Sequence, residues 1–585
     1  MTSYRLVLRG TFAFVAAVAL GMLASTAKAQ DLQWKTIVNT GDVMPGTTNT
    51  KFNSYNQPSI NDDGLVVFRA RSKGVGSSTG GGVGEAVAAV GGGGNGRGGG
   101  NGGGGGGNGR SGGGNGGGGG KFVSGIYERD MSETNPQIVK ILDLSSAVPY
   151  PNNTGATFNE FASIPRIDMN SDMIATLGTS APVWEYTLPN GTDTRAGTSG
   201  IYMSNGINGT AFTAMTQLGA VPGFEFWQVP GAPAGTKFDQ FPGAPSATAS
   251  AIVFKGNWTN SEGVGQTGVY FRNVTPSESG GGEAVYRIAD TSTPIPGGST
   301  TFGSTAPPSA VGNEMVFLGL DNEDDPTQGG IYLAPLSQDP TLTTLVKIGD
   351  SVPGENGATF NEIGEGLSFD GRYVSFWGAW GTCTRMITLQ CPTSGDKDLI
   401  ADCKRLYPNG FTTTEPVNQG IFVTDTSNAT TVLVAAAGPD ASFYNFLYWV
   451  FSGEPSGSGS GEPESVEPAR WRSSAFTALS SLSSASSYLV AFKGTKGDGT
   501  QGIYEAGAGQ NPALSTVVDT NMLGSVIDSE INALVSPTPL MVTSVGIERD
   551  GFRNRQLAVS VSMANAEASV SWAGLYLADF SITTP

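Results

Sequence analysis

The chain of 585 residues contains no histidine. Histidine is the commonest general base near neutral pH and a frequent metal ligand, so its absence excludes Ser-His-Asp and Cys-His catalysis and every histidine metal site. Charged residues are also scarce, and 50 acidic against 32 basic residues give a net charge of −18. An acidic surface repels phosphate backbones, so we expect no nucleic-acid partner.

Cysteine is nearly absent, with only Cys383, Cys391 and Cys403. Three cysteines so close together predict one local disulfide and one remaining thiol, as in a chain exported to an oxidising compartment. Which two pair stays open. A zinc site with a fourth ligand is the alternative, although the spacing matches no zinc-finger pattern.

Long apolar runs are missing beyond residues 12–23. Arg5 and Arg9 precede that run, and the small-x-small pattern Ala27-Lys28-Ala29 follows it. These features predict a signal peptide over residues 1–29. We therefore expect a secreted chain, extracellular or periplasmic, with no membrane span.

What the chain does contain is a repeat. The tripeptide Gly-apolar-aromatic occurs seven times, beginning at Gly125, Gly200, Gly268, Gly330, Gly420, Gly502 and Gly574. A β-branched run precedes each copy, and another follows each of the first six, so each unit reads as four short strands, A to D. Seven such units predict an all-β, seven-bladed β-propeller over residues 30–585 as one domain. Two or three sandwich domains are the alternative.

The ends of the chain complete one another in this scheme. The seventh unit stops after strand C, whereas residues 32–46, LQWKTIVNTGDVMPG, resemble a strand D with its turn. We therefore predict that the N-terminal strand pairs with the last unit and closes the ring.

The first unit, with "FNSYNQPSINDDGLVVFRA" and then "SGIY", fits the pattern "F..f..P.IN..G.V.F.A … GIY … i.DtG…PG". That pattern resembles a group of secreted bacterial tandem-repeat proteins that are predicted to form propellers. The resemblance covers almost the whole mature chain. It implies the propeller fold and export, and it brings no catalytic motif.

The long insertions lie between strands B and C or between D and A, which are connections on one face of such a meander. Loops on a rigid scaffold commonly carry binding sites. Tryptophans concentrate there, and an exposed ring suits sugar stacking or protein contact. The ligand-binding candidates are Trp227, Trp258, Trp377, Trp380 and Trp449. In the alternative interpretation, these rings pack the loops down. A Gly-rich tract at about 90–120 is predicted to be a flexible, disordered loop.

An aspartate recurs at the end of strand D, at Asp42, Asp143, Asp290, Asp350 and Asp519. Five carboxylates around one rim predict a site for a hard cation such as calcium. The alternative is that each aspartate caps the turn that follows its own strand.

Taken together, the sequence favours a non-enzymatic secreted protein that recognises a glycan, a matrix component or a protein through one loop-rich face. The alternative is an extracellular hydrolase or lyase that acts on polysaccharide with carboxylates or calcium. A structural surface protein is a third hypothesis, which an intermolecular disulfide from the remaining thiol would favour.

Overall fold

A computed structural model describes residues 32–73, 123–152, 155–181, 184–187, 193–196, 199–206, 209–275, 283–393, 397–452, 469–482, 487–509, 512–532 and 535–580. The predicted signal peptide and the Gly-rich tract lie outside these residues. Within them, no helix is long and apolar enough to cross a membrane.

The described chain is built almost entirely of strands, which group by repeat. Before the first repeat comes β1 (Gln33–Asn39). Repeat 1 contains β2 (Phe52–Tyr55), β3 (Ser59–Ile60), β4 (Leu65–Ser72), β5 (Ser124–Asp130) and β6 (Ile138–Asp143). Repeat 2 contains β7 (Thr157–Glu160), β8 (Arg166–Ile167), β9 (Met173–Ala181), β10 (Trp184–Thr187), β11 (Asp193–Ala196), β12 (Gly200–Asn205) and β13 (Phe212–Thr216), followed by 3₁₀ turns at Leu218–Ala220 and Glu225–Trp227.

The middle repeats are shorter. Repeat 3 contains β14 (Ser246–Ala247), β15 (Ala251–Thr259), β16 (Gly265–Asn273) and β17 (Tyr286–Asp290). Repeat 4 contains β18 (Ser304–Thr305), β19 (Ser309–Val311), β20 (Glu314–Leu320), β21 (Gly329–Pro335) and β22 (Thr343–Lys347).

The last three repeats contain the two α-helices of the described residues. Repeat 5 contains β23 (Phe360–Ile363), β24 (Ser368–Phe369), β25 (Tyr373–Leu389), α1 (Lys397–Leu406), β26 (Phe411–Asp425) and β27 (Thr430–Ala437). Repeat 6 contains β28 (Phe443–Asn445), β29 (Tyr448–Ser452), β30 (Arg470–Ser474), β31 (Thr477–Ser481), β32 (Tyr488–Lys496), β33 (Gln501–Gly507) and β34 (Leu514–Asp519), followed by α2 (Gly524–Ile527). Repeat 7 contains β35 (Met541–Gly546), β36 (Phe552–Arg553), β37 (Gln556–Ala564) and β38 (Ser571–Asp579).

Each repeat forms an antiparallel meander in which strand B lies between strands A and C. Repeat 1, for example, has the order β2-β4-β5-β6, with the short β3 also pairing with β4. Repeats 5 and 6 join into one sheet through a parallel contact between Ala437 and Phe443. The predicted all-β architecture of four-stranded units is therefore seen in the described residues.

The recurring glycine and aromatic residues have a steric basis. The Gly of each Gly-apolar-aromatic tripeptide lies against strand D, and a Cβ at Gly330 would stand 2.0 Å from the carbonyl oxygen of Val346. In strand B, a Cβ at Gly319 would stand 2.5 Å from the ring of Phe302. That ring packs edge-on against Tyr332 of the tripeptide. Glycine thus permits the backbone and ring contacts that hold each meander together.

The N-terminal strand completes repeat 7. In the antiparallel pairing of β1 with β38, Gln33 lies opposite Asp579 and Asn39 lies opposite Gly574. Ile37 and Val38 of β1 are fully buried in a core that includes Leu575 and Leu577. The predicted partner strand of the last unit is therefore correct.

The innermost strand of each repeat contacts the innermost strand of the next. This series runs β3, β8, β14, β19, β24, β31 and β36, and β36 in turn contacts β3. Each pair of consecutive repeats also shares a hydrophobic core, and so do repeats 7 and 1. Each repeat thus packs against its neighbours in sequence, and β36 of repeat 7 packs against β3 of repeat 1.

Candidate functional site

A cavity of about 660 Å³ lies between repeats 6, 7 and 1. Residues of these three repeats line it, together with Leu389 at the end of β25 in repeat 5. Its aromatic lining includes Tyr444, Tyr448, Trp449 and Phe476, and its polar lining includes Gln57 and Gln501. A cavity of this size with aromatic walls and a few amides is typical of a small-ligand site.

Two insertions meet beside this cavity. One is the extension of β25 and β26 with α1, and the other is the segment that contains β28 to β30. Arg385 connects them, because it pairs with Glu415 at 2.6 Å and donates to the carbonyl oxygen of Tyr444 at 2.8 Å. Its guanidinium also lies 3.8 Å from the centre of the Tyr444 ring. Glu415 then accepts the indole N–H of Trp449 at 3.2 Å, which fixes the orientation of that ring in the cavity wall.

A disulfide stabilises the first insertion. It joins Cys391, just beyond β25, to Cys403 in α1, and Cys383 is left as an exposed free thiol. The prediction of one local disulfide with one remaining thiol is confirmed, and the structure supplies the pairing. Below α1, Tyr407 packs against Phe411 and Phe451, which connects this insertion to the second one.

Of the five predicted tryptophans, only Trp449 lines this cavity, and it is half-buried. Trp227, Trp377 and Trp380 are buried in the cores between repeats, and Trp258 is partly buried against one of them. The expectation of exposed rings is therefore wrong for the first three. Trp258 and Trp380 occupy equivalent positions within strands β15 and β25, each two residues beyond a glycine that pairs with a glycine of strand C.

Hydrogen bonds explain the burial of two of these rings. Trp377 donates its indole N–H to the side-chain oxygen of Gln419 at 3.1 Å. Trp258 donates to the hydroxyl of Tyr270 at 3.0 Å. Because each indole N–H has a partner inside the protein, a buried position costs little. For Trp258 and Trp377, packing within the protein is therefore a better description than an exposed ligand-binding ring.

The five strand-end aspartates serve their own turns. Asp143 accepts the backbone N–H of Ser145 at 2.9 Å, and Asp290 accepts that of Ser292 at the same distance. Asp519 accepts the N–H of Asn521 at 2.9 Å, whereas Asp42 and Asp350 accept N–H groups of residues within strands β1 and β22. In the described part of the chain, no three acidic or cysteine side chains group as metal ligands. The structure does not bring the five together, because each carboxylate accepts a hydrogen bond from a backbone N–H close to it in sequence.

Charged groups also meet where the innermost strands converge. This central charge cluster consists of Arg166, Glu365, Glu548, Arg549, Asp550 and Arg553. Asp550 pairs with Arg166 and, at 2.9 Å, with Arg553. Arg166 also donates to the carbonyl oxygen of Pro308 at 2.7 Å, so it connects repeats 2, 4 and 7.

The cluster separates the pKa values of its carboxyl groups. Burial alone would raise the pKa of Asp550, but the charges of Arg166 and Arg553 outweigh it and hold that pKa below its usual value. At Glu548, burial dominates and raises the pKa. Burial likewise raises the pKa of Glu365 to about 7, against the opposing charge of Lys255. Opposite shifts among neighbouring carboxyl groups are a feature of acid–base sites, although structural ion-pair networks also produce them.

Sequence reasoning did not find Lys493, a charged side chain in the cavity wall. Its ammonium lies 3.9 Å from the centre of the Tyr448 ring. A signal was present, because Arg69 and Lys255 occupy the same position after the phenylalanine of strand B. In the register of the sheets, each of the three lies opposite the apolar residue of its Gly-apolar-aromatic tripeptide.

No protein-family model matches the chain, and no curated protein matches it in sequence. Solved structures do match in shape, at low similarity. One is Zg3597, a family 117 glycoside hydrolase of the marine bacterium Zobellia galactanivorans, at 10% identity and a TM-score of 0.23 over 66% of this chain and 89% of that one.

Two further matches are of the same order. The catalytic domain of the Coprinopsis cinerea GH62 α-L-arabinofuranosidase is 9% identical, with a TM-score of 0.22 over 58% of this chain and 91% of that one. The WD40 domain of SCAP from fission yeast is 9% identical, with a TM-score of 0.24 over 75% and 88%. Two of these three proteins are glycoside hydrolases. TM-scores at this level assign neither fold nor activity to this chain.

Proposed function

We propose that this chain is a secreted, closed seven-bladed β-propeller that binds a glycan in the cavity between repeats 6, 7 and 1. The pairing of β1 with β38 and the cyclic contacts of the innermost strands support the closed ring. The disulfide between Cys391 and Cys403 supports an oxidising compartment.

The observation that carries glycan binding is the composition of the cavity wall. Sugar rings present apolar faces and a rim of hydroxyl groups, so a sugar site combines aromatic faces with amides and hydroxyls. The aromatic faces come from Trp449, Tyr448 and Phe476. The amides and hydroxyls come from Gln57, Gln501 and Thr495. Among the described lining residues there is no aspartate or glutamate. Glycosidic bond cleavage normally requires two carboxyl groups, so this wall favours binding over hydrolysis.

The test is a glycan array followed by calorimetric titration of the glycans that bind. Replacing the half-buried Trp449 with alanine should weaken binding by roughly tenfold, since a stacked ring is worth about 1–2 kcal/mol. Trp449→Phe, the matched control, keeps an aromatic face and should retain most of the affinity. If Trp449→Ala binds as tightly as the parent protein, the cavity is not the glycan site.

Glycan cleavage is a second candidate, favoured by the opposite pKa shifts in the central charge cluster. A carboxyl group with a pKa of about 7, as at Glu365, is suited to act as a general acid. Incubating the bound glycans with the protein and measuring new reducing ends tests this candidate. Cleavage should be lost in Glu365→Gln and retained in Glu314→Gln, which changes an exposed residue at the start of β20. If the intact protein releases no reducing ends, cleavage is excluded while binding stands.

A further inference from the structure

Repeat 5 contributes little to the cavity wall, since Leu389 is its one residue among the described lining residues. Behind that wall lies the hairpin of β25 and β26, in which Arg385 is paired in register with Glu415. Their ion pair is shielded from water, because the side chain of Arg385 is 15% exposed and that of Glu415 is 2% exposed. The pair contacts two aromatic residues of the wall, Tyr444 through Arg385 and Trp449 through Glu415.

The two carboxylate oxygens of Glu415 have different partners. Oε1 accepts the Nε–H of Arg385 at 2.6 Å, and Oε2 accepts the indole N–H of Trp449 at 3.2 Å. The side-chain amide of Asn445, another lining residue, donates to the two oxygens at 3.2 and 3.3 Å. The strong charged hydrogen bond to Arg385 therefore fixes the carboxylate that the indole meets.

The same hydrogen-bond network extends into the core between repeats 5 and 6. Gln419 of β26 donates to the side-chain oxygen of Asn445 at 2.9 Å and accepts the indole N–H of Trp377 at 3.1 Å. Gln419 and Trp377 are both buried. Because paired polar groups in a protein interior form a rigid network, the hairpin of repeat 5 sets the position of Trp449 from behind the wall.

We propose that Glu415 is a positioning residue of the cavity, whose carboxylate holds the ring of Trp449 in the orientation on which a sugar ring stacks. This inference rests on the proposed glycan binding and names a residue outside the described lining that controls it. An indole N–H without its acceptor would turn toward water or another oxygen, because a donor left without a partner in a shielded position is costly. The ring would then leave the stacking orientation.

Glu415→Gln breaks this link and keeps the shape of the side chain. Glutamine offers one acceptor oxygen, and the charged Arg385 is the stronger donor for it, so the amide NH2 would face the indole N–H of Trp449. We expect the glycans that the parent protein binds to bind about threefold to tenfold more weakly, since loss of the whole ring is worth roughly tenfold. If Glu415→Gln does not fold, Glu415→Asp replaces it, because it keeps the charge and withdraws the oxygens from the indole.

A second substitution distinguishes positioning from general damage. Trp449→Phe keeps an aromatic face and has no N–H to satisfy, so adding Glu415→Gln should cost nothing further. The double variant should therefore bind as tightly as Trp449→Phe and more tightly than Glu415→Gln. Asp402→Asn is the matched control, because Asp402 is a buried carboxylate of the same insertion that pairs with Arg405 of α1 at 2.6 Å. It should bind like the parent protein, and thermal melts establish that each variant is folded.

The indole N–H signal of Trp449 reports the hydrogen bond without any ligand. In protein that contains ¹⁵N-labelled tryptophan, the signal is identified by its loss in Trp449→Phe. It should shift in Glu415→Gln and stay in place in Asp402→Asn.

The outcomes separate the two proposals. An unmoved Trp449 signal in Glu415→Gln overturns the positioning role and leaves glycan binding intact. Undiminished binding by Glu415→Gln overturns that role as well, and so does a double variant that binds as weakly as Glu415→Gln. If the parent protein binds no glycan on the array, glycan binding itself fails, and the Trp449 signal alone decides whether Glu415 orients the ring.

Discussion

At the scale of single residues, burial decides what a side chain is available to do. Trp380 and Trp449 both belong to inserted or extended segments, yet Trp380 is only 5% exposed and packs in the core between repeats 4 and 5. Trp449 is half-buried in a cavity wall. Residue type and position in the sequence predict the same exposure for both rings. The packing of neighbouring repeats is what buries one ring and leaves the other half-buried.

Trp380→Ala should therefore lower the stability of the protein and leave glycan affinity nearly unchanged. Removal of a buried aromatic side chain costs about 3–5 kcal/mol through lost burial and the cavity that remains. Thermal denaturation of Trp380→Ala beside Trp449→Ala measures this. A normal melting temperature for Trp380→Ala would contradict the burial of its ring in a core.

Glu128 gives the stability a dependence on pH. Its carboxyl group is buried in β5 with no hydrogen-bond partner among the described residues, and burial raises its pKa from 4.5 to about 7. The folded chain thus holds this proton more tightly than the unfolded chain does. The contribution of Glu128 to stability is greatest below pH 4.5 and declines as pH rises toward 7.

Glu128→Gln should remove that decline. We expect a gain of roughly 1–3 kcal/mol over the parent protein at pH 8 and almost none at pH 4.5, since the amide does not ionise. Denaturant titrations at the two pH values measure the gain. Glu314→Gln, at an exposed strand end, is the control and should show no such difference. An equal effect of Glu128→Gln at both pH values would show that proton binding is not the cause.

At the scale of elements, the disulfide holds one insertion without belonging to a shared core. It joins Cys391 and Cys403, which are 12 positions apart in sequence, outside the meander of repeat 5. Closing a loop of that length is worth about 3 kcal/mol in the chain-entropy account. Its effect should be local, because the strands of repeat 5 are buried independently.

Replacing Cys391 and Cys403 together by serine should accelerate amide hydrogen exchange in α1 and in the first residues of β26. Exchange in β27 and β32 should stay unchanged. Cys383→Ser changes the exposed free thiol and is the matched control. Faster exchange throughout repeats 5 and 6 would show instead that the insertion is part of the global folding unit.

Elements were easier to predict from the sequence than sites. The Gly-apolar-aromatic tripeptide locates strand C in every repeat, because its glycine must approach strand D closely, as Gly330 does. Strand pairing follows from such local patterns. The cavity does not, because it needs residues from repeats 6, 7 and 1 whose approach depends on the arrangement of whole repeats. The same is true of the aspartates. The sequence shows that one recurs at the end of each of five strands D, but it does not show how far apart their carboxylates lie.

At the scale of the whole molecule, the pairing of β1 with β38 brings the first described strand of the chain against the last. Asn39 at the end of β1 donates to Asp528 at 3.0 Å, across 489 positions of sequence. Trp572 and Tyr576 of β38 donate to the same carboxylate oxygen of Asp528. A buried polar network therefore accompanies the strand pairing at this junction.

A circular permutant tests whether β1 acts as strand D of repeat 7. The permutant begins at residue 47 and carries residues 32–46 after residue 580, joined by a copy of the 336–342 connection from repeat 4. It should melt within a few degrees of the parent protein. Simple deletion of 32–46 should lower the melting temperature markedly, because β38 loses its partner and exposes an edge. If the permutant and the deletion variant melt alike, β1 does not fill that position.

The register of β1 on β38 also determines how the molecule responds to tension. Gln33 lies opposite Asp579, so the outer ends of the two strands are side by side. A force applied to the two ends of the chain would load the hydrogen bonds one after another, from Gln33 toward Asn39, and not all together. Strands opened in this sequential way separate at much lower force than strands sheared along their length. If this protein is pulled between two anchors, we expect the seam between β1 and β38 to peel apart first, before the strands within repeats 1 to 6 separate.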